Sequence, residues 1–385
     1  MLEKQFMSAD SDRVYGLDLI RGICAGAVCI YHVLMWSGGP ELRALGTYAV
    51  YVFFVVSGAS LYMGYARGLN DKTALTRFFA RRFFRLAPLY IAVVTCSVLI
   101  LLLSGDTPDI FRVLLNVSLL FGFFDAGAMS LVTGGWSIGI EVVFYALFPL
   151  LLPLVKSRIW ILTLVAAFLF QHIYIQAALV NVPDLGDAWV TYTQPTSFLF
   201  YFVAGMCVAR AMKHGLLPCT EWYWLPLVVL LALFILVPTT TYKAILCGPV
   251  GWMLSIAAVV VTFMSAGLRL NKTGIAAAQM LGSVSYGLYL IHPLVYDALQ
   301  RLFPILLQYP WVLVLCTLLI SSALALVAEN RYEKPVRIWL GSKLKPQGKV
   351  VRRSRRQYHT DCRWVPASRD GRPEQVDTEK GASVR

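Results

Sequence analysis

Ten stretches of this chain are long and apolar enough, or nearly so, to cross a bilayer, which a helix does with about 20 residues. They fall near 15–36, 46–66, 86–104, 136–155, 159–180, 197–213, 223–239, 244–267, 281–303 and 311–329. Backbone amides cannot stay unpaired in hydrocarbon, so such a chain folds as helices that close their own hydrogen bonds. The predicted class is all-α: a polytopic membrane bundle of about ten transmembrane helices. The run 113–124 is too short to span. Bracketed by Asp106, Pro108, Arg112 and Asp125, it reads as a re-entrant or interfacial segment.

Charge sets the orientation. One set of alternate gaps carries Lys4 and Arg13, then Arg67 to Arg85, Lys156 and Arg158, Arg210 and Lys213, Arg269 and Lys272, and a basic tail. The other set holds little more than Arg43, Arg112 and Lys243, among acidic Glu41, Asp184 and Asp187. This alternation places both termini in the cytoplasm, and an eleventh span would break it. The net charge of +13 is thus a topology signal. With 58% hydrophobic and 14% charged residues, no soluble domain is left to present it to nucleic acid. The polar first 13 residues and the unbroken apolar run after them read as an uncleaved anchor, not a signal peptide.

Residues 1–340 form the expected membrane domain, and 341–385 a basic, disordered cytoplasmic tail. The tail either touches anionic lipid headgroups or is simply solvated. The eight cysteines contain no CxxC pair, so buried thiols are expected, with neither a disulfide framework nor a metal site.

Ionisable groups inside spans are costly and mark function. Arg21 and His32 lie eleven residues apart on the first span, hence on one face about 16 Å apart along the axis. Glu141, five residues into the fourth span, reaches the same depth as His32. Two readings fit: a general base with its orienting partner, or a hydrogen bond that merely joins two helices. Gly22 and Gly26 permit close helix packing there.

Arg82 and Arg85, three apart on one face before the third span, either grip a phosphate or only fix orientation. Their interleaving with Phe83 and Phe84 favours a large anionic ligand. The Ser57-Gly58 step permits close backbone approach, and Ser137 is placed either to hydrogen-bond Glu141 or only to cap its helix. His292 in the ninth span has no nameable partner and reads as structural.

Five stretches together resemble the acyltransferase-3 family. They are Leu17-Asp18-Leu-Ile-Arg21-Gly22 with His32; Phe53-Phe-Val-Val-Ser57-Gly58; Arg82-Phe-Phe-Arg85-Leu-Ala-Pro88-Leu-Tyr90; Gly135-Trp136-Ser137-Ile-Gly-Ile-Glu141-Val-Val-Phe144-Tyr145; and Ser285-Tyr-Gly-Leu-Tyr289-Leu-Ile-His292-Pro293. The resemblance implies transfer of an acyl group, usually acetyl, from cytoplasmic acyl-CoA (acetyl-CoA) to a hydroxyl across the membrane. The acceptor it implies is a glycan or lipid-linked saccharide, and the setting a bacterial inner membrane.

By position, Arg21 and His32 match the family's Arg-ten residues-His motif, whose histidine is essential. Arg82 and Arg85 match its Arg-x-x-Arg motif, implicated in acyl-CoA binding, and Glu141 its Trp-Ser-x-x-x-Glu acid. The chain resembles the stand-alone members, which carry no appended hydrolase domain. On this reading His32 is the base and Glu141 its orienting partner. Arg21 lies in the donor channel or supports an oxyanion, and a covalent acyl-histidine stays open. The rival reading is a transporter or flippase for a glycolipid or small anion.

Overall fold

The computed structural model describes residues 13–343 apart from 67, 70, 184 and 238–240, together with 356–358 and 364–366. Each expected apolar stretch is a helix: α1 Tyr15–Trp36, α2 Arg43–Tyr65, α3 Lys72–Leu103, then the short α4 Ile110–Val117, α5 Trp136–Lys156, α6 Trp160–Leu179, α7 Leu199–Lys213, α8 Trp224–Leu236, α9 Gly248–Gly267, α10 Lys272–Leu302 and α11 Pro310–Ala328. A π-helical turn, Glu329–Glu333, joins α11 to α12, Lys334–Lys343. Eight of these helices are long and apolar enough to cross a membrane. The helices α7, with 15 residues, and α8, with 13, are shorter than their stretches suggested. The run 113–124 does not span: α4 ends at Val117, and Leu119 takes a positive φ of 61° that breaks the helix.

Helix-to-helix bonds fix the directions. At one end Lys213 Nζ donates to the Met63 carbonyl, Arg210 to that of Val155, and Thr220 bridges Leu268. At the other, Tyr48 donates to the carbonyl of Ile245, Lys243 to that of Val180, and the Tyr31 and Tyr242 hydroxyls meet. These pairings, with the Arg21–Gly282 and His32–His292 contacts that set α10 parallel to α1, make successive membrane helices run in opposite directions. The two sets of gaps therefore gather at opposite ends, here the arginine end and the far end. Arg13 and the α12 helix both lie at the arginine end, where they line one cavity.

Close approach carries the packing. The parallel pair α1 and α10 is one centre; a Cβ at Gly22 would lie 2.4 Å from the Leu281 Cβ, and one at Gly282 2.7 Å from the Asp18 Cβ. A Cβ at Gly26, by contrast, would meet nothing within 4 Å among the described residues, so only half of the expected glycine pair is used. The other centre is α2 against α7. There a Cβ at Gly58 would sit 2.0 Å from the Phe202 carbonyl oxygen, and one at Gly205 1.8 Å from that of Val55. Small residues at such contacts are what hold helices together where lipid offers no hydrophobic contrast.

Two expectations need comment. Cys219 is disulfide-bonded, so the cysteines are not all plain thiols. A two-stranded antiparallel ribbon pairs Arg356–Tyr358 with Trp364–Pro366. The rest of the expected basic tail lies outside the described residues.

Candidate active site

A cavity of about 930 Å³ enters the bundle at the arginine end, within the size range of cofactor and small-molecule sites. Arg21, Arg82, Arg85 and Glu141 all line it, from three different helices. The helix α3 carries its arginines inward because it starts far before the apolar run. Asp71 caps it by accepting from the Ala74 amide at 2.7 Å, and the helix then continues unbroken through Pro88. Arg82 and Arg85 thus share a face with the cavity, while Arg81 is exposed.

Arg21 and Arg82 are held but not saturated. Arg21 donates to the Gly282 carbonyl at 2.7 Å and to Asp18 at 3.2 Å, and Asp18 also takes Arg13 at 2.5 Å. The Arg82 guanidinium lies 5.0 Å from the Tyr65 ring centre and 5.8 Å from that of Tyr145. The Nε atoms of both Arg21 and Arg82 are buried with no hydrogen-bond partner among the described residues. Buried donors left open beside a cavity suit an anionic guest that completes them.

Glu141 faces this cavity and not His32. Its Oε1 accepts from Ser57 at 2.7 Å and from Tyr145 at 2.6 Å. The expected His32–Glu141 contact is corrected accordingly: matched depth placed both groups at one height, but α1 and α5 are not neighbours. The helix α1 packs on α2, α9, α10 and α11, and α5 on α2, α3, α6 and α7. The expected Ser137–Glu141 bond is likewise replaced. Ser137 Oγ donates to the Gly134 carbonyl at 3.0 Å and lies 2.8 Å from the Tyr289 hydroxyl.

His32 lies at the height of Glu141 but outside the lining of the cavity. It is half-buried, stacked on Trp36 at 4.9 Å, and its Nδ1 is 2.9 Å from Nε2 of His292. His292, which had no nameable partner from sequence, is the only group hydrogen-bonded to His32 among the described residues. Tyr289, one turn before His292, lines the cavity, and its ring is 6.2 Å from that of His292. Tyr289 therefore stands between the arginine-lined space and the histidine pair, with Phe53 packed edge-on against it at 5.6 Å.

Sequence reasoning missed the mouth. Glu329, Asn330 and Glu333 of the π-helical turn line it, as does Arg337, which pairs with both glutamates. The i, i+4, i+8 spacing of Glu329, Glu333 and Arg337 at the end of an apolar run was the available signal. A π-turn of this kind is frequent at functional sites.

With this geometry in hand, the comparisons are specific. The profile of the family described as "Acyltransferase domain" matches residues 14–329. The chain is 28% identical over 271 residues to the exopolysaccharide production protein ExoZ of Rhizobium meliloti, covering 64% of this chain and 76% of that protein. It is 27% identical over 290 residues to the acyltransferase MdmB of Streptomyces mycarofaciens, covering 66% and 68%. No solved structure matches the chain. Helices, cavity and sequence agree, and the chain belongs to the acyltransferase-3 family, as a multi-pass membrane protein.

Proposed function

We propose that this protein moves an acyl group, acetyl foremost, from cytoplasmic acyl-CoA to a hydroxyl of an extracytoplasmic glycan or lipid-linked saccharide, across a bacterial inner membrane. The observation that carries this reading is one cavity that gathers Arg21, Arg82, Arg85 and Glu141 and is lined by Tyr289, one helical turn from His292 of the His32–His292 pair. The glycan acceptor draws support from the relative named for exopolysaccharide production. Cytoplasmic orientation of the arginine end draws on the positive-inside rule.

In this reading Arg82 and Arg85 bind the phosphates, Arg21 lies along the thiol arm, and Glu141 holds Ser57 and Tyr145 at the wall. His32 takes the proton of the acceptor hydroxyl from the far side. The new ester C–O bond forms as the thioester C–S bond breaks, and His32 returns the proton to the departing sulfur. The walls around His32 keep water from the thioester.

Membranes containing the protein, given acetyl-labelled acetyl-CoA and acceptor glycan, should place label in an alkali-labile ester. Arg82→Ala with Arg85→Ala should raise the KM for acetyl-CoA at least tenfold with little change in kcat. Transport of the glycan with no ester formed would support a carrier instead. Unchanged donor saturation would remove the arginine pair from the donor site.

A further inference from the structure

Two buried histidines in this bundle behave alike, and a third does not. His172 Nδ1 lies 2.8 Å from the Phe168 carbonyl and His292 Nδ1 3.1 Å from that of Leu288, each satisfied by its own helix one turn back. His32 instead turns its Nδ1 away from its helix, to Nε2 of His292 at 2.9 Å. That choice fixes every proton in the pair. A carbonyl oxygen only accepts, so His292 Nδ1 carries the hydrogen. In a neutral imidazole the other nitrogen is then bare, so His292 Nε2 accepts. The bond between the rings must be donated by His32 Nδ1–H, which leaves the lone pair of His32 on Nε2.

We propose that His292 is a positioning residue for the transfer step: it holds His32 in the one tautomer whose Nε2 can take the acceptor's proton. The proposal rests on the reading of His32 as the base. It gives His32 the orienting partner that Glu141 does not supply, and it uses a neutral acceptor where a catalytic triad uses a carboxylate.

The hydroxyl proton passes to His32 Nε2 as the ester C–O bond forms. His32 Nδ1–H stays bonded to His292 throughout, and the Nε2 proton passes to the sulfur when the C–S bond breaks. His292 neither gains nor loses a proton. Its ring is fixed by the Leu288 carbonyl and by complete burial on α10, the helix that also carries Tyr289 at the end of the cavity. His172 differs in its surroundings: its Nε2 meets Ser255 at 3.0 Å, Ser255 meets Tyr201 at 2.8 Å, and none of the three lines the cavity.

Three variants test this in membranes with acetyl-CoA and acceptor. His292→Phe keeps a ring but offers no acceptor; kcat should fall by about 10²- to 10⁴-fold, the usual contribution of a positioned base. The KM for acetyl-CoA should be unchanged, because the donor cavity is untouched. His292→Gln offers its amide oxygen to His32 Nδ1–H and should restore kcat to within about tenfold of the native protein. A packing role alone would not give rescue by Gln with failure of Phe. Acetyl-CoA binding and detergent melting report folding, and His292→Leu replaces the Phe variant if that one fails to fold. Native kcat in His292→Phe, or equal loss in Gln and Phe, overturns the proposal. His32→Gln run in parallel separates the two readings. If it retains transfer, the base assignment itself falls; if it is inactive while His292→Phe is active, only the role of His292 falls.

Discussion

Removing the hydroxyl of Tyr289 is the sharpest available probe of how donor and base meet. The ring lines the cavity on the side that faces the histidine pair, so on the proposed reading it must swing aside before a thioester can reach His32. One phenolic proton holds it there, bonded to the Gly134 carbonyl at 2.9 Å with Ser137 Oγ at 2.8 Å. Tyr289→Phe removes that bond and little else. The edge-on contact with Phe53 survives, and Gly134 keeps the Ser137 bond at 3.0 Å, so no buried group is orphaned. A neutral hydrogen bond of this kind contributes about 0.5–1.5 kcal/mol net. Since about 1.4 kcal/mol is tenfold, the swung-out ring should become about 2- to 13-fold more populated. Two rates read this: thiol release from acetyl-CoA without acceptor, and ester formation with it. Release should rise by that factor, transfer should hold or rise, and the KM for acetyl-CoA should stay the same. Unchanged release would show that Tyr289 is no barrier. A tenfold fall in both rates, with normal insertion, would mean that the hydroxyl takes part in the chemistry.

Two further outcomes are expected. Gly205→Val drives a side chain into the Val55 carbonyl, where even a Cβ would lie 1.8 Å away. Overpacking of this kind costs about 1–3 kcal/mol, so the detergent melting temperature should drop; an unchanged melt would contradict the α2–α7 contact. For orientation, Leu216→Cys and Trp311→Cys put exposed thiols at opposite ends of the bundle. In intact cells an impermeant maleimide should label Trp311→Cys and spare Leu216→Cys, and the reverse pattern would invert the proposed topology.

The bundle was legible because each of its signals is one-dimensional. A stretch's length and apolarity fix whether it is a helix, and the basic gaps fix which ends gather together. Both survive without knowledge of any neighbour, which is why all ten stretches are helices that alternate in direction. The arginine cluster was legible for a related reason. Arg82 and Arg85 sit one turn apart on α3 with Arg21 at a similar height on α1, and at the mouth of a narrow bundle there is little room for them to avoid one cavity.

The histidine was harder, and the failure is instructive. Depth along the membrane can be counted from sequence, but azimuth around the bundle cannot. His32 and Glu141 share a height, yet α2 separates their helices, so the carboxylate faces Ser57 and Tyr145 at 2.7 and 2.6 Å. The true neighbour is set by α1 and α10 running parallel, a contact that Gly22 and Gly282 make close. In a parallel pair, equal steps from a shared contact stay level. Arg21 meets the Gly282 carbonyl, and about half a span further on His32 meets His292, eleven and ten residues along their helices. The two motifs of α1 and α10 therefore carry a common register that neither reveals alone. That shared register pairs the histidines and leaves Glu141 to the arginine-lined cavity.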